Sequence, residues 1–281
     1  MRRGNTIRIL IGAALIVVGI ILFAGAMSAL DWEFSALTTG RYETNEWIVA
    51  ETFRDVRIVT DVADVRILPA ADGVARVELY EEASAKHRVS VEGGVLTIEV
   101  DDQRAWYQHI GIGFDSPRIC IYLPQQVMGA LTIETSTGDA WLSHVEATEV
   151  SVRVSTGDVR LEHGAVTEIS VRVSTGDVAV SDTSCEKLLT EGSTGDLSMT
   201  DVTVRERLAI ERSTGDVKLT RCDAAAIKIE TDTGDVTGTL LTPKTFSANS
   251  GTGDVEVPRG TVGGACEITT HTGDIKIRIV S

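Results

Sequence analysis

A Ser-Thr-Gly-Asp tetrad, shortened in places to Thr-Gly-Asp, returns eight times in the second half of the chain, with its glycines at Gly138, Gly157, Gly176, Gly195, Gly215, Gly234, Gly253 and Gly273. The spacing is 19 or 20 residues throughout. A period of that length in a sequence rich in β-branched residues specifies a solenoid: each repeat is one coil that cannot bury its apolar face alone and is stable only when stacked on its neighbours. The side chains must therefore be read as columns.

Two and four residues after each glycine the chain is mostly apolar, as in Val159 and Leu161, Val178 and Val180, or Ile275 and Ile277. Seven and five residues before it the same holds, as in Leu131 and Ile133, or Ile169 and Val171. The intervening positions are mostly polar, and this period of two is that of a strand with one face buried. Each coil is thus two short strands joined by the Thr-Gly-Asp corner, with a more variable corner on the other side. Residues 47 to 134 also read as strands, among them 64–68 and 95–100, and Asp61 to Val65 look like a corner that has lost its glycine. The expected fold is all-β, a single β-solenoid of 19- to 20-residue coils whose irregular first coils and N-terminal cap occupy 47–134 and whose regular array occupies 135–281.

A sharp corner needs one residue with φ > 0, which glycine adopts without steric cost, and an aspartate beside it can bond amides that the turn leaves unpaired. That gives Asp139, Asp158, Asp177, Asp196, Asp216, Asp235, Asp254 and Asp274 a structural role. Coils stacked about 4.8 Å apart would also align them in a file about 34 Å long, where like charges repel and a hard cation such as calcium could be collected. The Gly-Gly-x-Gly-x-Asp nonapeptide of calcium-binding rolls is absent from the sequence. No cofactor is expected.

Residues 9 to 30 carry no charged side chain over 22 positions. At helical rise that is about 33 Å, matching a bilayer core of about 30 Å. Arg2, Arg3 and Arg8 precede the run and Asp31 and Glu33 follow it, so the positive-inside rule places the N-terminus in the cytoplasm and the solenoid outside. A cleaved signal peptide is the competing reading, since Ala24, Gly25 and Ala26 resemble a cleavage site, but the run exceeds the usual apolar region of such peptides. The expected organisation is a cytoplasmic tip and transmembrane signal anchor at 1–30, then a membrane-proximal linker at 31–46.

The chain holds 26 basic and 41 acidic residues, a net charge of −15, and the basic count includes the three anchor arginines. Such a surface argues against nucleic-acid binding, which needs basic patches. Cys120, Cys185, Cys222 and Cys266 fall at different phases of the repeat and form no Cys-x-x-Cys, which suits small buried hydrophobes. Six residues after their glycines, His144, His163 and Asp182 share one column, with Asp201 next. They are either candidate transition-metal ligands or a solvated edge. Trp106, Tyr107 and Phe114, in the long interruption between 101 and 117, are either plugs for the cap or partner contacts, and Trp141 is an outward candidate contact.

A membrane anchor, a first half ending in Ile121-Tyr122-Leu123-Pro124 and serial Ser-Thr-Gly-Asp-Val coils together resemble the bacterial β-strand-repeat family of unknown function often labelled "putative adhesin". The resemblance covers residues 47 to 281. It implies a single β-solenoid at the cell envelope, with some relatives tied to envelope stress, and brings no catalytic residues. The sequence contains no Gly-x-Ser-x-Gly, His-Glu-x-x-His or phosphate loop. A non-catalytic envelope module presenting its ladder surface to a protein, peptide or glycan is therefore expected. The alternatives are a polysaccharide-acting enzyme, which needs a cleft and paired carboxylates, and an ice- or mineral-binding face, weakened because the threonines lie at a corner. The last coil, from His271 to Ser281, is followed by nothing that could cover it, so it is expected to be the free edge for self-association or partner docking.

Overall fold

The computed structural model describes residues 16–20, 24, 25, 28, 42–83, 85–102, 116–260 and 262–280. Of the expected membrane segment, residues 16–20, 24, 25 and 28 are described, and they are helical. The rest of that segment, with Trp106, Tyr107 and Phe114, lies outside the described residues. Among the described residues no helix is long and apolar enough to cross a membrane.

The alternating pattern folds into one 20-stranded sheet wound as a solenoid. The irregular part comprises β1 (Tyr42–Ile48), β2 (Asp55–Val62), β3 (Asp64–Pro69), β4 (Arg76–Glu82), β5 (Ala85–Glu92), β6 (Val95–Asp102) and β7 (Arg118–Leu123). β1 begins inside the stretch read as linker, and neither it nor β5 was evident from periodicity. The regular coils run through β8 (Met128–Thr137), β9 (Ala140–Ser143), β10 (Glu146–Thr156), β11 (Val159–Glu162), β12 (Ala165–Thr175), β13 (Val178–Thr194), β14 (Leu197–Thr214) and β15 (Val217–Thr233). The array closes with β16 (Val236–Leu240), β17 (Lys244–Thr252), β18 (Val255–Glu256), β19 (Gly264–Thr272) and β20 (Ile275–Ile279). Coil stacks on coil in parallel and in register, so Val152 lies between Ile133 and Val171 and Leu161 between Leu142 and Val180. These columns are the core; Leu131, Ile133, Leu142 and Ile229 are 0% exposed. The 20-residue step from Gly195 to Gly215 is absorbed as a register shift between Val204 and Arg207.

Sequence order and stacking order part company at both ends. β2 and β3 form the first coil, yet each pairs with the regular array on one side (β8, β9) and with the later β6 and β7 on the other. At the far end β15 and β16 pair with β19 and β20, and β17 and β18 lie beyond those. The eighth coil is thus inserted between the sixth and the seventh. This corrects the expectation of a free final coil: Ile275 and Ile277 are 0% and 2% exposed, whereas Val255 in the seventh coil is 44% exposed.

Each corner glycine has positive φ, from +128° at Gly195 to +150° at Gly234, well beyond the left-handed helical value. The reason is contact between coils. A Cβ on Gly176 would lie 2.6 Å from the Gly157 carbonyl carbon and closer still to its oxygen. Left-handed helical angles occur instead at the second corner, at His144, His163, Asp182, Asp201 and Arg221, with φ between 47° and 56°.

Candidate functional site

The corner aspartates are engaged by the backbone. The amide of Asp177 donates to Oδ1 of Asp158 at 2.8 Å, and that of Asp196 donates to Oδ1 of Asp177 at 2.8 Å. The file starts at Asp64, which accepts from Asp139, and ends in stacking order with Asp274 accepting from Asp254. In the same corner Gly157 N–H donates to the Thr175 carbonyl and Val159 N–H to the Asp177 carbonyl, both at 2.9 Å. The carboxylate therefore supplies the acceptor that the parallel ladder lacks at this turn, and one such charged hydrogen bond per coil offsets repulsion along the file. Lys276 adds an ion pair to Asp274 at 2.7 Å and helps hold its carboxyl below the usual range.

His144 and His163 stack with ring centroids 4.7 Å apart, and Nδ1 of His163 lies 3.9 Å from Asp182. Among the described residues no three His, Cys, Asp or Glu side chains are grouped to hold one ion. Their positive φ gives this column a backbone role, since short polar side chains tolerate that conformation best. Trp141 faces outward under the Arg66 guanidinium, 5.7 Å from ring centroid to Cζ, and donates Nε1–H to Glu162 at 3.3 Å.

None of these residues lines a trough on the outer surface of the coils. Positions four and two before each corner glycine stand on either side of it, and the position between them is its floor. One wall carries Glu134, Arg153, Arg172, Glu191, Glu211 and Glu230; the other carries Ser136, Ser155, Ser174, Ser193, Ser213 and Asp232. Two segments of about 400 and 550 Å³ share Arg172 and Ser174, so the trough runs along the solenoid from Thr60 to His271. Its charges are mostly paired: Arg172 grips Glu191 through Nε and Nη2 at 2.6 and 3.2 Å, Lys228 meets Glu230 at 2.8 Å and His271 meets Asp232 at 3.1 Å.

Two of the buried polar groups that the sequence reading missed stand out. In the cap, His87 N–H and Nδ1 lie 2.6 and 2.9 Å from Oε2 of Glu81, Nε2 lies 2.9 Å from the Thr60 hydroxyl, and Asn45 donates to Oε1 of Glu81 at 2.9 Å. Since the carboxylate only accepts, Nδ1 donates to Glu81, while Nε2 pairs with the Thr60 hydroxyl. Glu81, Thr60 and His87 are 1%, 3% and 7% exposed. The partners come from four strands, β1, β2, β4 and β5. The other group is Arg212, on the trough floor and 4% exposed. Burial pulls its guanidinium below the ordinary value against the opposing charges of Asp177 and Asp196. The signal for it was an arginine in a column otherwise held by Thr, Val, Ser or Gly. The four cysteines are free thiols, three of them buried, and burial pushes Cys185 and Cys266 up to about 12.

The family model described as Toastrack DUF4097 matches residues 53–205 and again 164–281. Among solved structures, a "putative adhesin" from Bacteroides fragilis aligns at 14% identity and TM-score 0.53, covering 85% of this chain and 97% of that one. A second "putative adhesin", from Parabacteroides distasonis, gives 13% identity and TM-score 0.54 over 86% and 98% of the two chains. A "putative lipid binding protein" from the same species gives 15% and 0.50 over 87% and 98%. At these identities the likeness establishes the fold. No curated protein matches the chain significantly.

Proposed function

The chain belongs to the Toastrack DUF4097 family, and from that premise we propose that it is a non-catalytic binding module whose axial trough takes an extended polar polymer of the cell envelope. The observation that carries this reading is the continuity of the trough: successive coils repeat the same two walls at the strand spacing, which suits a linear partner with its own repeat. Paired charges and serine hydroxyls on the walls favour hydrogen bonding over apolar packing. The non-catalytic reading is supported by the only hydroxyl-histidine-carboxylate set noted among the described residues, Thr60, His87 and Glu81, being closed to solvent. Solved relatives described as adhesins and as a lipid-binding protein are consistent with a surface that binds.

In this reading the charge-free run at 9–30 holds the module to the membrane, with the N-terminus cytoplasmic and the solenoid outside. Protease added to intact cells should then digest the solenoid and spare the N-terminal segment; protection until lysis would reverse the orientation. Binding is tested by Ser174→Trp, which fills the trough where its two segments meet. The detergent-solubilised chain should retain isolated envelope peptides or glycans, and the substitution should weaken retention at least about tenfold with the melting temperature unchanged. Equal retention by both proteins would reject the trough.

A further inference from the structure

Arg212 occupies an inward column between its register neighbours Gly192 and Thr231. None of its Nε, Nη1 and Nη2 atoms has a hydrogen-bond partner, and the hydroxyls of Thr231 and of Thr190, two residues from Gly192 along β13, also lack one. A Cβ on Gly192 would lie 2.8 Å from Cζ of Arg212, so the guanidinium fills the room that glycine leaves. A covered cation with all its N–H donors unmatched is strongly disfavoured, and a guanidinium fork matches a carboxylate through two parallel hydrogen bonds. The same side chain lines the trough, so rotation about its own bonds turns the fork from the glycine's place toward a ligand lying there. Glu211, the residue before it, lines the same stretch and forms no ion pair among the described residues, whereas Glu191 and Glu230 each do. A ligand therefore meets a cation whose donors are unmatched and, on the adjacent residue, an anion whose cationic neighbour Lys228 is already paired to Glu230.

We propose that Arg212 is a retracted anchor for the terminal carboxylate of a peptide, gripped by the fork while an ammonium group of the same peptide meets Glu211. This deepens the trough reading and rests on it. A glycan of uronic acid units offers the carboxylate without the ammonium, and the mixed signs of Glu211 and Arg212 favour the peptide.

The test uses the full chain in detergent and three probes: a short alanine peptide with one lysine and a free C-terminus, its C-terminal amide, and an oligomer of glucuronate. The free acid should bind at least about tenfold more tightly than the amide, the worth of one lost charged hydrogen-bonded pair. Arg212→Thr, which installs the residue of the next coil, should abolish that preference, and Arg212→Lys should reduce it by losing the fork. Melting curves of both variants show whether they fold. Equal binding of acid and amide by the native chain would overturn the anchor, as would a preference that survives Arg212→Thr or Arg212-dependent binding of glucuronate alone. An anchor that fails while Ser174→Trp still abolishes peptide binding leaves the trough standing; an acid preference that needs Arg212 but ignores Ser174→Trp supports the anchor and confines binding to the stretch around Arg212.

Discussion

The two ends of the solenoid are closed by different means. At the N-terminal end the first coil is overlaid by β6 and β7, which are covered in turn by antiparallel strands: β5 on β6, β4 on β7, and β1 on β4. The buried Thr60, His87 and Glu81, with half-buried Asn45, tie these layers to the first coil. At the C-terminal end nothing antiparallel is added. The chain turns back and slots its last coil under the seventh, so the terminus is protected while β17 presents an outer edge with no partner strand among the described residues. Reversing direction buries the edge of a parallel array; reversing stacking order hides only the chain end.

The largest expected effect comes from removing the inserted coil. A chain stopped after residue 263 loses the buried Cys266, Ile268, Ile275 and Ile277 together and leaves the seventh coil without the neighbour it stacks on. The expected loss is at least about 5 kcal/mol, with protease cutting between 241 and 256. If the last coil were terminal in space the seventh would stay protected, so intact 244–256 in that digest would refute the inserted order.

Next come the corners. Gly176→Val in mid-array forces a β-branched residue to positive φ and drives its Cβ into the Gly157 carbonyl, at a cost of about 3 to 5 kcal/mol. Gly253→Val meets the same obstacle at Gly273, but the outermost coil can move away, so about 1 to 2 kcal/mol is expected. Equal losses in thermal melts would mean that the open end is as rigid as the middle.

These two predictions rest on parts of the molecule that were legible to different degrees. The 19-residue period gave the coil, its two core faces and even the degenerate corner at Ala63, because each is set by local spacing. The order of the last two coils was not legible: every coil offers the same columns, so the spacing does not say which neighbour each one takes. For the candidate site, the columns that form the walls were visible but the trough was not, since a depression between two outward positions depends on strand curvature. His144, His163 and Asp182 drew attention as ligands because their side chains can bind metal; their column is defined by its backbone angle.

The capped end should feel the loss of its polar network. His87→Leu leaves Glu81 buried without one of its donors and is expected to cost about 2 to 3 kcal/mol. The backbone donor survives the substitution, and the ring donor is the one removed. Chemical denaturation gives the value, and a change below about 0.5 kcal/mol would show that the cap does not depend on it.

Thiol chemistry separates the ends more finely. Burial raises the Cys185 and Cys266 thiols from 9.0 to about 12, so the folded chain keeps protons that the unfolded chain releases. That contribution is fully present below pH 9 and is lost as pH rises toward 12, about 1 kcal/mol per thiol at pH 10. Cys266→Ala should therefore reduce the loss of stability between pH 8 and pH 10, despite lying in the last coil. Rapid alkylation of native Cys266 at pH 8 would instead mark that coil as open.

The smallest expected effect concerns association at the bare edge. β17 has backbone groups without a strand partner on one side, and beside it Val255 and Leu241 are 44% and 43% exposed where the core columns run out. Edge pairing between two copies would cover both. A small apolar end gives a weak contact, so we expect dimers only at concentrations of about 100 µM or above. Val255→Glu places a charge on the open end and should remove them, while Lys276→Glu, in the inserted coil, should leave them intact. Sedimentation of the detergent-solubilised chain distinguishes the cases. Dimers lost with Lys276→Glu and kept with Val255→Glu would return the docking edge to the last coil.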